Sequence, residues 1–296
     1  MPSIRLLKIA DNVYYAKGSP ASLIAVEGEK AYVVDPGMPK DRGKLLRKAV
    51  LKLGVSEIVA LLTHLHGDHL LAVEYLQPNE IFIPPGEAFA VKPNVREGVA
   101  LCYPFHVKCE KLTLFEPAVL FSYKFLESNA GPFHVVDLPG HSPSQKGFLL
   151  GNVLYVGDAV FGDKLIARVG VPYFFDHRQG LESMNELLEY AEKGFKLVLS
   201  HGPVVQDKQA VSLVEQNIST IQRIRQLVLE ELEKRERCVS EIALRILKRL
   251  GAACDATSVV LAERTVRSIL AEAFEEGIAE PSVSGDKLVW QFKRHT

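Results

Sequence analysis

Short apolar runs that each close on a residue able to bind a metal ion restrict what this chain can fold into more than any other feature. Ala31-Tyr32-Val33-Val34 runs into Asp35, and Ile58-Val59-Ala60-Leu61-Leu62 into Thr63-His64. Further along, His134 to Leu138 runs into Pro139-Gly140-His141, Val153 to Val156 into Gly157-Asp158, and Leu197 to Leu199 into Ser200-His201. Runs of this length, rich in Val, Ile, Leu and Tyr, read as strands. Strand ends on one edge of a sheet form a common rim, which is where ligands sit in layered α/β proteins. The pattern therefore predicts an α/β protein that carries its chemistry on one rim.

The densest of these endings is Thr63-His64-Leu65-His66-Gly67-Asp68-His69. His64 and His66, two apart at the end of a strand, point the same way and can share one ion. Gly67 permits a sharp turn that brings Asp68 and His69 round on the far side, where they could hold a second ion. With the later strand ends, the candidate ligands are His64, His66, Asp68, His69, His141, Asp158 and His201. A lone histidine at a strand end is ordinarily a surface or satisfied core residue. The cluster argues otherwise, because imidazole and carboxylate are the ligands that Zn²⁺ and related ions prefer.

Around these endings the chain divides in two. Residues 12–17 and 22–27 read as strands parted by Gly18-Ser19-Pro20, a helix spans about Asp41 to Leu53 with Gly54 as its stop, and Ile81-Phe82-Ile83 is a further strand. Residues 84–110 read as a long loop or cap over one face, and a helix covers about Gly180 to Lys193. After Pro203 the pattern changes to helices at about Lys208–Arg237, Val239–Leu250 and Thr257–Glu276, followed by a hairpin around Ser284-Gly285-Asp286. Such a tail is winged-helix-like. The expected organisation is a catalytic domain over 1–204 and a helical, winged-helix-like domain over 205–296.

The 296 residues carry a formal net charge of −1 and are 47% hydrophobic, so a globular protein is expected and bulk charge makes no case for anionic partners. From Val205 onward there are 14 Lys and Arg against 14 Asp and Glu, so the tail lacks the basic excess of a nucleic-acid reader. Duplex DNA has no strong electrostatic case, and the tail is expected to pack on the catalytic domain, wall the cleft or support a homodimer. No apolar run approaches membrane-spanning length, no signal-like segment opens the chain, and a cytoplasmic location with no membrane partner is expected. The four cysteines, Cys102, Cys109, Cys238 and Cys254, form no C-x-x-C pair and read as reduced thiols, with a Cys102–Cys109 bond as the alternative.

The order H-x-H-x-D-H, then P-G-H, then G-D, then a final His resembles the metallo-β-lactamase superfamily across about residues 12–204. The resemblance implies a four-layer αβ/βα sandwich with two divalent ions at its rim, Zn²⁺ first, with Mn²⁺ or Fe²⁺ as alternatives. His64, His66 and His141 would hold one ion, Asp68, His69 and His201 the other, and Asp158 would bridge them. Asp35 would lie behind the ligands and orient the His-rich loop. Hydrolysis by a hydroxide shared between the ions is the reaction implied, with Asp68 and Asp158 as the catalytic carboxylates. Ser142 and Ser200 are then loop hydrogen-bonders, not nucleophiles. Four positions depart from the family pattern. Leu70-Leu71-Ala72 stands where x-Gly-Gly is usual, which predicts looser packing of the following helix, and Ser144 and Ser200 replace residues that are commonly Gly.

The interval from Asp158 to His201 is too short for the inserted domain of the RNA-cleaving β-CASP group, and His66 argues against flavodiiron oxidoreductases, which place Glu there. The ending and tail look most like β-lactamase-like proteins related to the mitochondrial endoribonuclease, which implies hydrolysis of single-stranded RNA. A glyoxalase-II-like thioesterase or a lactonase, acting on a small molecule, is the alternative. Two other classes stay open: a mono-iron oxygenase or sulfur-transfer enzyme on the same fold, and a non-catalytic regulator built on the tail. Lys164, Arg168, Tyr173 and His177 are expected in a loop over the rim, placed to contact an anionic substrate or protonate a leaving group. His106 and His134 fall outside the ligand pattern.

Overall fold

Alternation along the strands decides the layering. In β4 (Lys30–Val34) and β5 (Glu57–Leu61), Tyr32, Val34, Val59 and Leu61 turn to one side and Ala31, Val33, Ile58 and Ala60 to the other. The first set packs against Phe133, Phe148, Tyr155 and Val198 of a second sheet. The other set packs under Leu46 and Val50 of helix α1 (Lys40–Leu51). One period-two pattern thus supplies both a sheet–sheet core and a sheet–helix core.

The computed structural model describes residues 3–91, 120 and 122–293. Its first sheet runs β1 (Leu6–Ala10), β2 (Val13–Ala16), β3 (Ser22–Glu27), β4, β5, β6 (Glu80–Ile83) and β7 (Lys124–Phe125) in that spatial order. Pairing is antiparallel up to β4 and parallel from there. The first two parallel steps need crossovers, supplied by α1 and by the short helices α2 (Gly67–Leu70) and α3 (Val73–Leu76).

The second sheet joins β8 (Asn129–Ala130), β9 (Phe133–Asp137), β10 (Lys146–Leu150), β11 (Val153–Tyr155), β12 (Lys196–Val198) and β13 (Val204–Val205), each beside the next. Between β11 and β12, its parallel pair, lie α4 (Asp163–Val169) and α5 (His177–Glu192). Leu154 and Leu197 face outward onto Met184 and Leu187 of α5. The result is helix, sheet, sheet, helix, the sandwich expected.

Several boundaries differ from the sequence reading. α5 starts three residues before Gly180 because the carboxylate of Asp176 accepts the backbone N–H of Gln179 at 2.9 Å and caps it. The segment expected as a loop over 161–178 contains α4. Residues 85–91 form a short 3₁₀ helix, Pro85–Val91, and the rest of the expected cap, with His106, Cys102 and Cys109, lies outside the described residues. Cys238 and Cys254 are free thiols. β1 escaped the sequence reading because it is a half-exposed edge strand with no clean alternation.

The tail consists of α6 (Asp207–Lys234), α7 (Val239–Arg249), α8 (Ala256–Glu275) and the antiparallel hairpin of β14 (Ala279–Ser284) and β15 (Lys287–Phe292). The buried cluster over α5 continues without a break into Ile221, Ile224, Leu227, Ile242, Ile246, Val266, Ile269 and Leu270 of these helices. Among the described residues, no helix is long and apolar enough to cross a membrane.

The chain after Leu70-Leu71-Ala72 meets helix α1 at close range. The facing helix carries a glycine at the contact: a methyl group on Gly43 of α1 would stand 2.2 Å from the carbonyl oxygen of Ala72 and 2.6 Å from the amide nitrogen of Leu76. Gly43 permits the close approach, and Leu70 and Ala72 are buried.

Candidate metal centre

The carboxyl ends of β4, β5, β9, β11 and β12 meet on one rim, and the candidate ligands gather there in overlapping groups. Side-chain ligand atoms of His64, His66 and His141 lie within 4.8 Å of one another, as do those of Asp68, His69 and His201. His64, His69 and Asp158 form a third such group that joins the first two. Asp158 is central: its carboxylate is 3.4 Å from Nε2 of His69, 3.4 Å from Nε2 of His141 and 3.6 Å from Nε2 of His201. All seven residues named from the sequence are brought together.

Behind them, Asp35 fixes which nitrogens face the rim. It is fully buried at the end of β4 with a left-handed backbone, φ 46°. Its carboxylate accepts the Thr63 N–H at 2.9 Å, the Thr63 hydroxyl at 2.7 Å and Nδ1 of His69 at 2.7 Å. Because the Thr63 hydroxyl proton is given to Asp35, its oxygen receives Nδ1–H of His64, 3.0 Å away. The carbonyl of Tyr173 likewise accepts Nδ1–H of His141 at 2.9 Å. Three rings thus have Nδ1 engaged and Nε2 turned to the rim. Nε2 of His64 and Nε2 of His69 are buried and have no hydrogen-bond partner, which is the condition of a nitrogen shaped to bind an ion.

The electrostatics favour neutral rings at His64, His66 and His141 and positive charge at His69 beside the carboxylates. Burial holds His64 well below its ordinary pKa, lowers His141, and together with the neighbouring His141 takes His66 down to about 3. Burial acts against charge on His69 as well, yet Asp35, Asp158 and Asp68 around it raise it well above the usual histidine range. For Asp158, burial works upward and is outweighed by His201, His69 and His141, which hold the carboxylate well below its normal range. A buried anionic pair among imidazoles suits a divalent cation.

Four further residues shape the site, and the sequence reading passed over them. Glu87, buried on the 3₁₀ helix, accepts the Leu65 N–H at 2.8 Å, the Ser142 hydroxyl and the Ser144 N–H at 3.3 Å, so it clamps the two histidine loops together. Ser19, read only as part of a breaker, lies 2.9 Å from Nδ1 of His201. The buried guanidinium of Arg42 ties the carbonyls of Ala16, Lys17 and Pro36 together at 2.9–3.1 Å. Gln145 accepts the Asp158 N–H at 3.2 Å. The one clue in the sequence was a glutamate standing alone in the apolar stretch Pro84 to Val91.

Ser200 fits its expected role, its hydroxyl placed against the Gly157 carbonyl at 2.7 Å and against the Asp158 carboxylate. Lys164 and Arg168 are exposed on α4, and His134 is exposed on β9. Tyr173 stands at the site, its ring centroid 5.4 Å from that of His66 and 5.5 Å from that of His141. His177 does not contact substrate space as expected. It lies in the first turn of α5, fully buried, with Nδ1 2.6 Å from Glu272 of the tail. Beside the ligands opens a cleft walled by Phe89, Ala90, Pro143, Tyr173 and Phe175, with His66 and His141 at its base.

Residues 15–199 match the family model described as metallo-beta-lactamase superfamily. The chain belongs to the metallo-β-lactamase superfamily. Within that superfamily it is 28% identical over 191 residues to a hydroxyacylglutathione hydrolase of Xanthomonas axonopodis pv. citri (strain 306), and 29% identical over 191 residues to that of Xanthomonas euvesicatoria pv. vesicatoria (strain 85-10). Each match covers 62% of this chain and 61% of the relative, so the chain spans about three fifths of the length of these relatives. Among solved structures, a β-lactamase domain protein from Burkholderia ambifaria superposes with a TM-score of 0.67 at 17% identity, covering 97% of this chain and 93% of the other. A metallo-β-lactamase family protein from Thermus thermophilus gives 0.64 at 19% identity, covering 99% of both. These two matches extend through the tail, so the superfamily sandwich and its helical extension recur together as a fold.

Proposed function

We propose that this metallo-β-lactamase superfamily chain is a hydrolase dependent on two divalent metal ions, acting on an acyl bond of a small molecule such as a thioester or lactone. The observation that carries the reading is the pair of ligand trios, His64–His66–His141 and Asp68–His69–His201, with Asp158 between them. Five imidazoles and two carboxylates make Zn²⁺ the first choice, with Mn²⁺ and Fe²⁺ decided by metal analysis. Two such ions, when bound, supply a water nucleophile at neutral pH and neutralise the oxyanion that forms on attack.

The protein's own groups do the rest. Asp35 and Thr63 hold His64 and His69 with Nε2 turned to the ions, and the Tyr173 carbonyl does the same for His141. Asp68 and Asp158 provide the negative charge that retains the cations. The cleft selects what approaches. Its described walls are Phe89, Ala90, Pro143, Tyr173 and Phe175, and the one carboxylate among its described lining residues, Glu87, is already used by Leu65, Ser142 and Ser144. An uncharged or aromatic acyl group fits such walls better than a phosphodiester. Similarity to hydroxyacylglutathione hydrolases supports the same choice. RNA finds no comparable support: the tail carries 14 basic and 14 acidic residues. Lys164 and Arg168 on α4 remain the cations that could meet a charged part of the substrate, and Tyr173 is the wall residue best placed to touch it.

The test is a side-by-side assay of metal-replete protein on S-lactoylglutathione, a lactone and single-stranded RNA, with Asp158→Ala as control. Hydrolysis of the thioester or lactone, lost in Asp158→Ala, is expected. Turnover of RNA alone would overturn the substrate class, and a single redox-active iron in the purified protein would overturn the mechanism.

A further inference from the structure

The segment 172–176 is irregular backbone that forms one wall of the cleft, and it runs through buried and half-buried positions. Backbone groups in that position need partners, and here the partners come from one face of the tail helix α8. The hydroxyl of Thr265, itself fully buried, donates to the Pro172 carbonyl at 2.7 Å and accepts the Phe174 N–H at 2.9 Å, so it grips both neighbours of Tyr173. One turn on, the Ser268 hydroxyl accepts the His177 N–H at 2.7 Å, and Glu272 meets Nδ1 of His177 at 2.6 Å. The positions 265, 268 and 272 share one helical face. Arg264 adds a hydrogen bond to the Phe175 carbonyl at 3.1 Å and lies 4.1 Å over the Phe175 ring.

The other side of the segment holds the ligand loop. The Tyr173 carbonyl takes Nδ1–H of His141, the Phe175 N–H reaches the His141 carbonyl at 3.3 Å, and the Asp176 N–H reaches the Gly140 carbonyl at 2.9 Å. There is no slack between the layers: a methyl group on Gly140 would stand 2.3 Å from the Cα of Gly180, and one on Gly180 would stand 2.6 Å from the ring of Phe174. His141, the wall and α8 are therefore stacked in contact.

We infer that α8 is a positioning element of the metal centre, and that Thr265 is the residue through which it sets the Tyr173 carbonyl and hence Nε2 of His141. The inference rests on the reading of His141 as a metal ligand. Apolar docking alone would be served by Val266, Ile269 and Leu270 of the same helix, which are buried in the common core. The polar face is an additional device, and it is aimed at the backbone on either side of the residue that holds the ligand. The same geometry accounts for the burial of His177, which anchors the wall to Glu272.

The experiment is a chelator-competition titration of metal-stripped protein with Zn²⁺, in wild type, Thr265→Val and Thr265→Ser. Valine keeps the shape and removes the hydroxyl, and serine restores it. The inference predicts that Thr265→Val loses about three- to tenfold in affinity for one of two ions and keeps the other, less than the 10–100-fold typical when a direct partner of a ligand is removed. Thr265→Ser should bind both as wild type does. Thr265→Val that is folded, even with a lowered melting temperature, yet binds both ions with wild-type affinity would overturn it. Should Thr265→Val not fold, Ser268→Ala read in the same titration replaces it, with the same outcomes. Wild-type protein that binds no ion would sink the metal-centre reading and this inference with it, whereas two ions bound equally by wild type and variant would sink this inference alone.

Discussion

Asp35 and His69 meet with no solvent access to either side chain, Nδ1 lying 2.7 Å from the carboxylate. Together with the two groups of Thr63, three donors converge on two carboxylate oxygens. Asparagine cannot replace this, because its NH₂ must face at least one of those donors. Asp35→Asn should lower zinc affinity by about 10- to 100-fold, measured by competition with a chelator, while leaving the circular dichroism spectrum close to wild type.

Glu87 accepts from Leu65, Ser142 and Ser144 in the interior. Glu87→Ala would leave the two backbone N–H groups buried without an acceptor. A loss of about 2–4 kcal/mol is expected, read from denaturant unfolding, with reduced turnover because both histidine loops lose a common anchor. A variant as stable as wild type would show that water replaces the carboxylate.

At Gly43 the obstruction is backbone, which cannot rotate away. Gly43→Ala must push α1 from Ala72 and α3, which follow directly on α2, at a cost of about 1–3 kcal/mol. Since α2 carries Asp68 and His69, the substitution should also weaken metal binding, whereas Gly28→Ala, with open space around it, serves as the control for binding.

In the tail, Glu231 is 1% exposed and bonded to Lys234 at 2.6 Å and Arg245 at 2.5 Å, with Arg237 at 3.2 Å and Arg249 at 3.4 Å. Burial alone would raise its pKa, and these cations instead bring it down to about 2. An unfolded Glu titrates near ~4.3. A depressed folded value means that the stabilisation is present above ~4.3 and is lost as the pH falls from there through about 2. Several partners are partly exposed, so the contribution is on the order of 1–2 kcal/mol. Glu231→Gln should unfold at lower denaturant than wild type at pH 7, and the gap should close below pH 4.

The ligands were legible because each interrupts an apolar strand pattern at its end, a local signal. Residues that depend on distant partners were not. Glu87 finds Ser142 55 positions away, Ser19 finds His201 182 away, and Thr265 finds Phe174 91 away. His177 was misplaced for the same reason: as part of an apparent loop it looked solvated, while its partner Glu272 lies 95 positions on. The replacement of glycine after Asp68-His69 suggested a looser helix because Gly43, which meets Ala72 and Leu76 at close range, sits on another element. Periodicity reports what faces the core, and long-range hydrogen bonds leave no such trace.

The two sides of the cleft differ in how they are tied down. Tyr173 and Phe175 belong to backbone gripped by α8 on one side and by the His141 loop on the other. Phe89 and Ala90 stand on the short 3₁₀ helix, and Pro143 is exposed. For divergence or redesign, the first side is held by many backbone bonds, whereas the second is tied to the ligand loops through one carboxylate, Glu87. Substrate preference should be easiest to change at Phe89 and Ala90, whose side chains line the opening, provided that Glu87 beside them is kept.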